Sequence, residues 1–357
     1  MMRYKKQGSV IVMLVLFCGL ILCFHLPANA KQNIKINRKK VVLTTGKSKK
    51  LELDGVKKKQ KIRWKSSDRK VVTVSKNGKI RAKKNGSAVV TARYQNKKYK
   101  CKVLVVPKAA AKQAQKEITP GTSYYRGFLV DNVYHSGKNG DIHYNVYFPD
   151  SYDGKKKMAL YVTLPGYQGL YFQGVAENIK TEDFGFEAQK YNSDMVILAP
   201  QLDDWGGTSA DQTIALVEYF LSHYPIDASK VYINGYSGGG ETLSLVLGKR
   251  PELFTRALMC SSQWDGEYEP VVKAKTPVYF VIGESDEYYS SEPFKRAYQK
   301  LHDLYRKQGL CEKQIENLLV LDVKGSSYFQ GTGITYQHGG GYLFCRDKDI
   351  MSWLFKE

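Results

Sequence analysis

Cysteine is scarce in this chain, and none of its six cysteines forms a CxxC pair or a Cys/His spacing of the kind that holds zinc. Cys18 and Cys23 fall in the first thirty residues; Cys101, Cys260, Cys311 and Cys345 are scattered, so buried thiols or at most one disulfide are expected. Long apolar runs are missing too: the longest, Val10 to Phe24, is fifteen residues, short of the ~20 that a spanning helix needs. Its context is that of an export leader. Arg3, Lys5 and Lys6 precede it, and Ala28 and Ala30 supply the small residues of a cleavage site, so cleavage after Ala30 and a secreted or cell-surface protein are expected. An uncleaved anchor is the alternative, and it exports the rest equally. No small residue precedes Cys18 or Cys23 as lipidation would require.

Acidic residues are the other shortage, 34 against 55 Lys and Arg, for a net charge of +21. The shortage is local. Residues 31–120 hold 29 basic residues and only Glu52, Asp54, Asp68 and Glu117, whereas residues 121–357 are net acidic. On an exported chain such a basic module meets anionic cell-wall polymers before nucleic acid, so surface retention is expected and a nucleic-acid partner is not. A merely solvated basic face is the plain alternative. With 43% hydrophobic residues, the chain has enough apolar material for a core, and its 357 residues suit about two domains.

Residues 34–106 read as short strands, with alternation at Val72/Val74 and Val89/Thr91 and Asn-Gly turns in "KNGK" and "KNGS", each of which predicts a hairpin. The pattern is that of an all-β sandwich. The stretch "WKSSDRKVVTVSKNGKIRAKKNGSAVVTA" resembles the bacterial immunoglobulin-like domain of group 2, which implies a spacer or adhesive unit on a surface protein and no chemistry of its own. Residues 107–123, rich in Ala, Lys and Gln, read as a linker, and a linker this polar predicts two independently moving domains. From residue 125 to 357 strands and helices alternate: an opening hairpin, then "MALYVTLPG", "MVILAP", "KVYING", "RALMCSS", "PVYFVIG" and "NLLVLDV" with helices between. That order predicts a mostly parallel sheet with helices on both faces.

The segment "KVYINGYSGGGETLSLVLG" places Ser237 in a G-x-S-x-G pentapeptide between a strand and a helix, where glycine neighbours leave room for a sharp, strained elbow that lifts the hydroxyl above the sheet. A phosphate-cradling turn is the alternative, and no P-loop lysine accompanies it. A serine nucleophile needs a base and the base an acid, in the order Ser, acid, His. Asp286, in "ESDEYY" beyond the strand "PVYFVIG", is the expected acid ahead of Glu284 and Glu287. His338 in "QHGGG" is the expected base, since His302 falls within a helix and His135, His143 and His223 precede the serine. The oxyanion donors are expected to be the N–H groups of Gly238, directly after the serine, and of Tyr167 in "VTLPGYQG". Trp205 and Trp264, on loops at the C-terminal sheet edge, are candidates for substrate contact, with loop packing as the even alternative.

"YPIDASKVYINGYSGGGETLSLVLGKRPELFTRALMCSS" resembles the α/β-hydrolase fold, and within it the secreted feruloyl and acetyl-xylan esterases and polyhydroxybutyrate depolymerase-like enzymes, through Asp227, Lys230, Val231, Tyr232, Gly235, Ser237, Gly238, Gly239, Pro251, Leu253 and Phe254. The resemblance implies ester hydrolysis through an acyl-enzyme, without metal or organic cofactor. Proline at 165 stands where many such enzymes have histidine, which puts the donor geometry in question. A serine peptidase of prolyl oligopeptidase type shares fold and triad, but the region upstream is too short for its usual β-propeller. A catalytically inactive surface adhesin is the reading from another class.

Overall fold

In the computed structural model the described residues are 34–56, 61–106 and 117–356; the leader and residues 107–116 of the linker lie outside them. The larger unit is built on eight strands: β1 (Phe128–Ser136), β2 (Gly140–Tyr147), β3 (Met158–Leu164), β4 (Met195–Pro200), β5 (Ile226–Tyr236), β6 (Arg256–Cys260), β7 (Val278–Gly283) and β8 (Leu319–Lys324). Their spatial order is β1-β2-β4-β3-β5-β6-β7-β8, with Ile118–Thr119 and Ser123–Tyr125 added along β1. The β1–β2 and β2–β4 pairs are antiparallel and every later pair is parallel. Every residue of β3, β4 and β7 is buried, as continuous apolar runs require when helices cover both faces.

The two faces separate by alternation along each strand. Leu160 and Val162 of β3 and Val231 and Ile233 of β5 join one core cluster with the helices Gly207–His223, Gly238–Lys249 and Glu292–Lys307. Tyr161 and Tyr232 face the other way, onto Ile179, Phe184 and the last helix, Lys348–Leu354. Helix Glu292–Lys307 buries Phe294, Ala297, Leu301 and Tyr305, a three-to-four-residue spacing that lines one stripe. Between β3 and β4 the chain also forms two helices too short to leave a periodic signal, Glu177–Thr181 and Phe184–Glu187.

The smaller unit is a sandwich. Lys40–Thr44, Lys97–Val106, Gly86–Tyr94 and Arg63–Ser66 form one sheet, and Ser48–Lys50, Lys79–Ala82 and Val72–Val74 a second, around Leu51, Val72, Ile80, Val90 and Val103. "KNGK" makes the expected hairpin, with Gly78 at φ +79°. "KNGS" does not. The strands on its two sides lie in different sheets, because Ile80 and Ala82 on one and Ala88 and Val90 on the other are both buried in the core and meet across it.

The independent domains expected from the linker's polarity are not what the structure shows. Val103 and Val105 fill the sandwich, while Leu104 and Val106 of the same strand pack into the core of the larger unit, and the Tyr124 hydroxyl donates to the Val105 carbonyl at 2.9 Å. The apolar run Val103 to Val106 carried the signal, since a strand without alternation buries both faces.

Candidate active site

Strand β5 ends at Tyr236 and a helix begins at Gly238, leaving Ser237 alone at the junction with φ 54° and ψ −127°. A non-glycine residue there carries about 1–3 kcal/mol of backbone strain, which the surroundings must hold in place. They do so by close approach. A Cβ on Gly235 would lie 2.3 Å from the Gly239 carbonyl oxygen, and one on Gly239 would lie 2.5 Å from that of Leu164. The Ser237 N–H donates to the Cys260 carbonyl (3.0 Å), and the Ser262 hydroxyl donates to the Ser237 carbonyl (2.7 Å). The elbow is tied down on both sides.

The Ser237 Oγ lies 3.0 Å from His338 Nε2, and His338 Nδ1 lies 3.0 Å from Asp286 Oδ2 and 3.2 Å from Oδ1. The three residues predicted from sequence are thus brought into one hydrogen-bonded chain, although 101 positions separate serine from histidine. Asp286 is buried, and its Oδ1 also accepts the Tyr288 and Tyr289 N–H groups at 3.0 and 2.9 Å. Burial pushes this carboxyl up, but the hydrogen bond and charge of His338 together with the two amides outweigh it and hold it below the usual aspartate range. The histidine loop is fixed separately. Glu287 accepts the N–H groups of Gln337 and His338 (both 3.0 Å), the Tyr236 hydroxyl donates to the His338 carbonyl (2.7 Å), and the Ser285 N–H donates to Gln337 Oε1 (2.7 Å). Of the three acids in "ESDE", Asp286 meets the imidazole and Glu287 anchors its backbone.

Tyr167 and Gly238 each occupy the first position of a helix, the 3₁₀ turn Tyr167–Gly169 and the helix Gly238–Lys249, where an N–H has no acceptor within its own helix. The two amides flank the serine, since a Cβ on the adjoining Gly166 would lie 3.2 Å from the Ser237 Cβ. Trp205 stands over this place: a Cβ on Gly238 would lie 2.2 Å from its Nε1, and its ring is 5.9 Å from that of Tyr167. Its indole N–H is buried without a hydrogen-bond partner among the described residues. Trp264 sits elsewhere. It donates to the Gly266 carbonyl (2.7 Å) and stacks on Tyr268 at 5.3 Å beside Phe280, so its contacts are those of loop packing.

Two acids beside the site, Glu241 and Glu182, escaped the sequence reading. The Tyr289 ring lies 5.6 Å from that of His338 while its hydroxyl donates to Glu241 Oε1 (2.6 Å), and burial raises the carboxyl of Glu241, on the first turn after the serine. Glu182 accepts the Gly166 N–H at 2.7 Å. Neither acid belongs to a recognisable motif. Exposed rings, Tyr167, Phe172, Tyr288, Tyr336 and Tyr342, form a rim on the loops that carry these residues. A cavity of about 320 Å³ opens between Tyr236, Tyr336, Gly339 and Tyr342.

Residues 30–105 match the bacterial Ig-like domain (group 2), and residues 202–268, which include the elbow, match the prolyl oligopeptidase family. A thermostable esterase of known structure superposes with a TM-score of 0.50 at 17% identity, over 80% of this chain and 76% of that one. Est1E from Butyrivibrio proteoclasticus (14% identity, 56% and 89% covered, TM-score 0.39) and oligopeptidase B from Leishmania major (12%, 77% and 50%, 0.41) are more distant. No curated protein matches the chain. The strand order and the superposition at TM-score 0.50 show an α/β-hydrolase fold, preceded by the stretch that matches the bacterial Ig-like domain.

Proposed function

We propose that the protein is an exported esterase that cleaves carboxylic esters through an acyl-enzyme on Ser237. The observation that carries the reading is the chain Ser237 Oγ to His338 Nε2 to Asp286, 3.0 Å at each step, beside two helix-first amides. His338 Nε2 takes the Ser237 proton as Oγ bonds to the ester carbonyl carbon. Asp286 holds Nδ1–H and stabilises the imidazolium, and the N–H groups of Tyr167 and Gly238 hold the oxyanion. Collapse expels the alcohol, which leaves with the proton from Nε2. Water then repeats the sequence on the acyl-enzyme, and Ser237 is regenerated with release of the acid.

The exposed ring rim and the lack of a long insertion over the sheet support an open cleft that accepts an ester carried on a polymer. The basic immunoglobulin-like domain supports retention on an anionic cell-wall polymer, and the leader, cleaved after Ala30, supports export. The match over residues 202–268 favours one second reading, a serine peptidase of the prolyl oligopeptidase type. Parallel assays on p-nitrophenyl acetate, butyrate and octanoate, methyl ferulate, acetylated xylan and peptidyl p-nitroanilides decide between them. Turnover of short or feruloyl esters that vanishes in Ser237→Ala supports the esterase; turnover confined to the anilides replaces it with the peptidase.

A further inference from the structure

The chain between β3 and β4 delivers one acid to the underside of the oxyanion loop. Glu182, directly after the helix Glu177–Thr181, accepts the Gly166 N–H at 2.7 Å through Oε1, and its Oε2 is enclosed with no hydrogen-bond partner among the described residues. An enclosed carboxyl oxygen left without a partner is costly. Nothing in the core requires it. Its single bond goes to the residue between Pro165 and Tyr167, in the loop whose next N–H is read above as an oxyanion donor.

We propose that Glu182 is a positioning residue for the acyl-transfer reaction, holding the Gly166 amide so that the Tyr167 N–H points at the oxyanion. The inference rests on the reading of Tyr167 as that donor. Gly166 itself is wedged, its φ of −75° extended and its missing Cβ 3.2 Å from Ser237 and 3.4 Å from the Tyr236 ring, so the loop has one edge against the serine and the other against Glu182. Releasing the Glu182 edge frees the peptide plane that carries the Tyr167 N–H.

The surroundings also set the charge of this acid. The titratable groups that face it are Tyr161 of β3, Tyr236 of β5, Cys260 of β6 and Cys345 after the short helix Gly341–Phe344, all neutral at pH 7; the adjacent Asp183 takes both Arg126 and Arg346. No cation reaches Glu182 among the described residues. Burial pushes its carboxyl up to about 8, the Gly166 hydrogen bond opposing. It is therefore neutral at pH 7, and on ionising above about pH 8 it puts a negative charge behind the developing oxyanion, which slows acylation.

The test compares wild type, Glu182→Gln and Glu182→Leu by the rate of labelling with a fluorophosphonate and by kcat and KM on p-nitrophenyl acetate, across pH 6 to 9.5, each variant first shown folded by its thermal transition. Loss of one oxyanion donor costs about 10²–10³ in turnover, so a misdirected one is expected to cost at least about tenfold. Glu182→Leu should show that loss in kcat and labelling with KM changed less than about threefold. Glu182→Gln, which keeps an acceptor for Gly166, should stay within about threefold of wild type at pH 7 and lose the decline above pH 8. Should Glu182→Leu fail to fold, the glutamine variant alone decides, through its pH profile. Wild-type rates in a folded leucine variant, or an unchanged alkaline decline in the glutamine variant, overturn the proposal. Activity that persists in Ser237→Ala overturns the esterase reading instead, a different result from a different variant.

Discussion

Asp286→Asn is expected to disable the base by turning it round, and the structure specifies how. Asp286 Oδ1 is fixed by the N–H groups of Tyr288 and Tyr289, so the single oxygen of asparagine must occupy that place. Its NH₂ group then takes the place of Oδ2, 3.0 Å from His338 Nδ1. Two donors cannot face each other, so Nδ1 becomes the acceptor and the imidazole proton moves to Nε2, where it meets Ser237 Oγ. An Nε2 that already carries a proton cannot take one from the serine. The loss expected from a wrong-tautomer substitution is about 10⁴ in kcat, or about 5.4 kcal/mol of barrier. Initial rates on p-nitrophenyl acetate at pH 7.5 measure it, with KM a control expected to change little. Stability gives a second reading. Because the folded pKa of Asp286 is depressed, its carboxylate adds stability that is present above the unfolded aspartate value near 4 and is lost as the pH falls through the folded value. The asparagine variant should therefore lose less stability than wild type on going from pH 7 to pH 3 in urea titrations. A variant that keeps kcat within tenfold of wild type refutes the assignment of Asp286 as the orienting acid.

Gly238→Ala places a methyl group 2.2 Å from the Trp205 indole nitrogen, so kcat should fall at least tenfold on the same ester through displacement of the elbow, and Trp205→Ala in that background should restore part of it. Trp205→Phe keeps a ring over Gly238 and removes a buried, unpartnered N–H, so urea unfolding should show stability unchanged or higher by up to about 1 kcal/mol. Leu104→Ala removes a side chain of the sandwich strand that is buried in the core of the larger unit, so it should cost about 2–5 kcal/mol and lower that unit's melting temperature, as seen by loss of fluorophosphonate labelling on heating. Cys101, Cys260 and Cys345 are buried and Cys311 is exposed, all as free thiols, so a chain beginning at Lys31 should react with one equivalent of a thiol reagent when native and four when unfolded.

Much of this was legible before any coordinates. Strands β3, β4 and β7 announce themselves as uninterrupted apolar runs, and the glycines around Ser237 announce the elbow, because close backbone approach leaves no room for another residue. The acid and base were legible through chain order and loop position. Glu182 was not. Its role is set by where a pair of short helices delivers it, and one of five acids between β3 and β4 resembles any surface glutamate until the Gly166 contact is seen. Trp264 was open in the sequence between substrate contact and loop packing, because lying on a loop at the sheet edge does not fix which way an indole turns; this one turns to Gly266 and Tyr268. The second Asn-Gly turn misled because it marks a reversal without naming the strand's partner, which the burial of Ile80 and Ala82 decides.

The most direct measurement is to treat the folded protein with a fluorophosphonate and locate the adduct by mass spectrometry of its peptides. A single adduct on Ser237 is expected, absent in Ser237→Ala and formed far more slowly in His338→Ala. An adduct at another serine, or no adduct on protein with a native thermal transition, contradicts the assignment of Ser237 as an activated nucleophile.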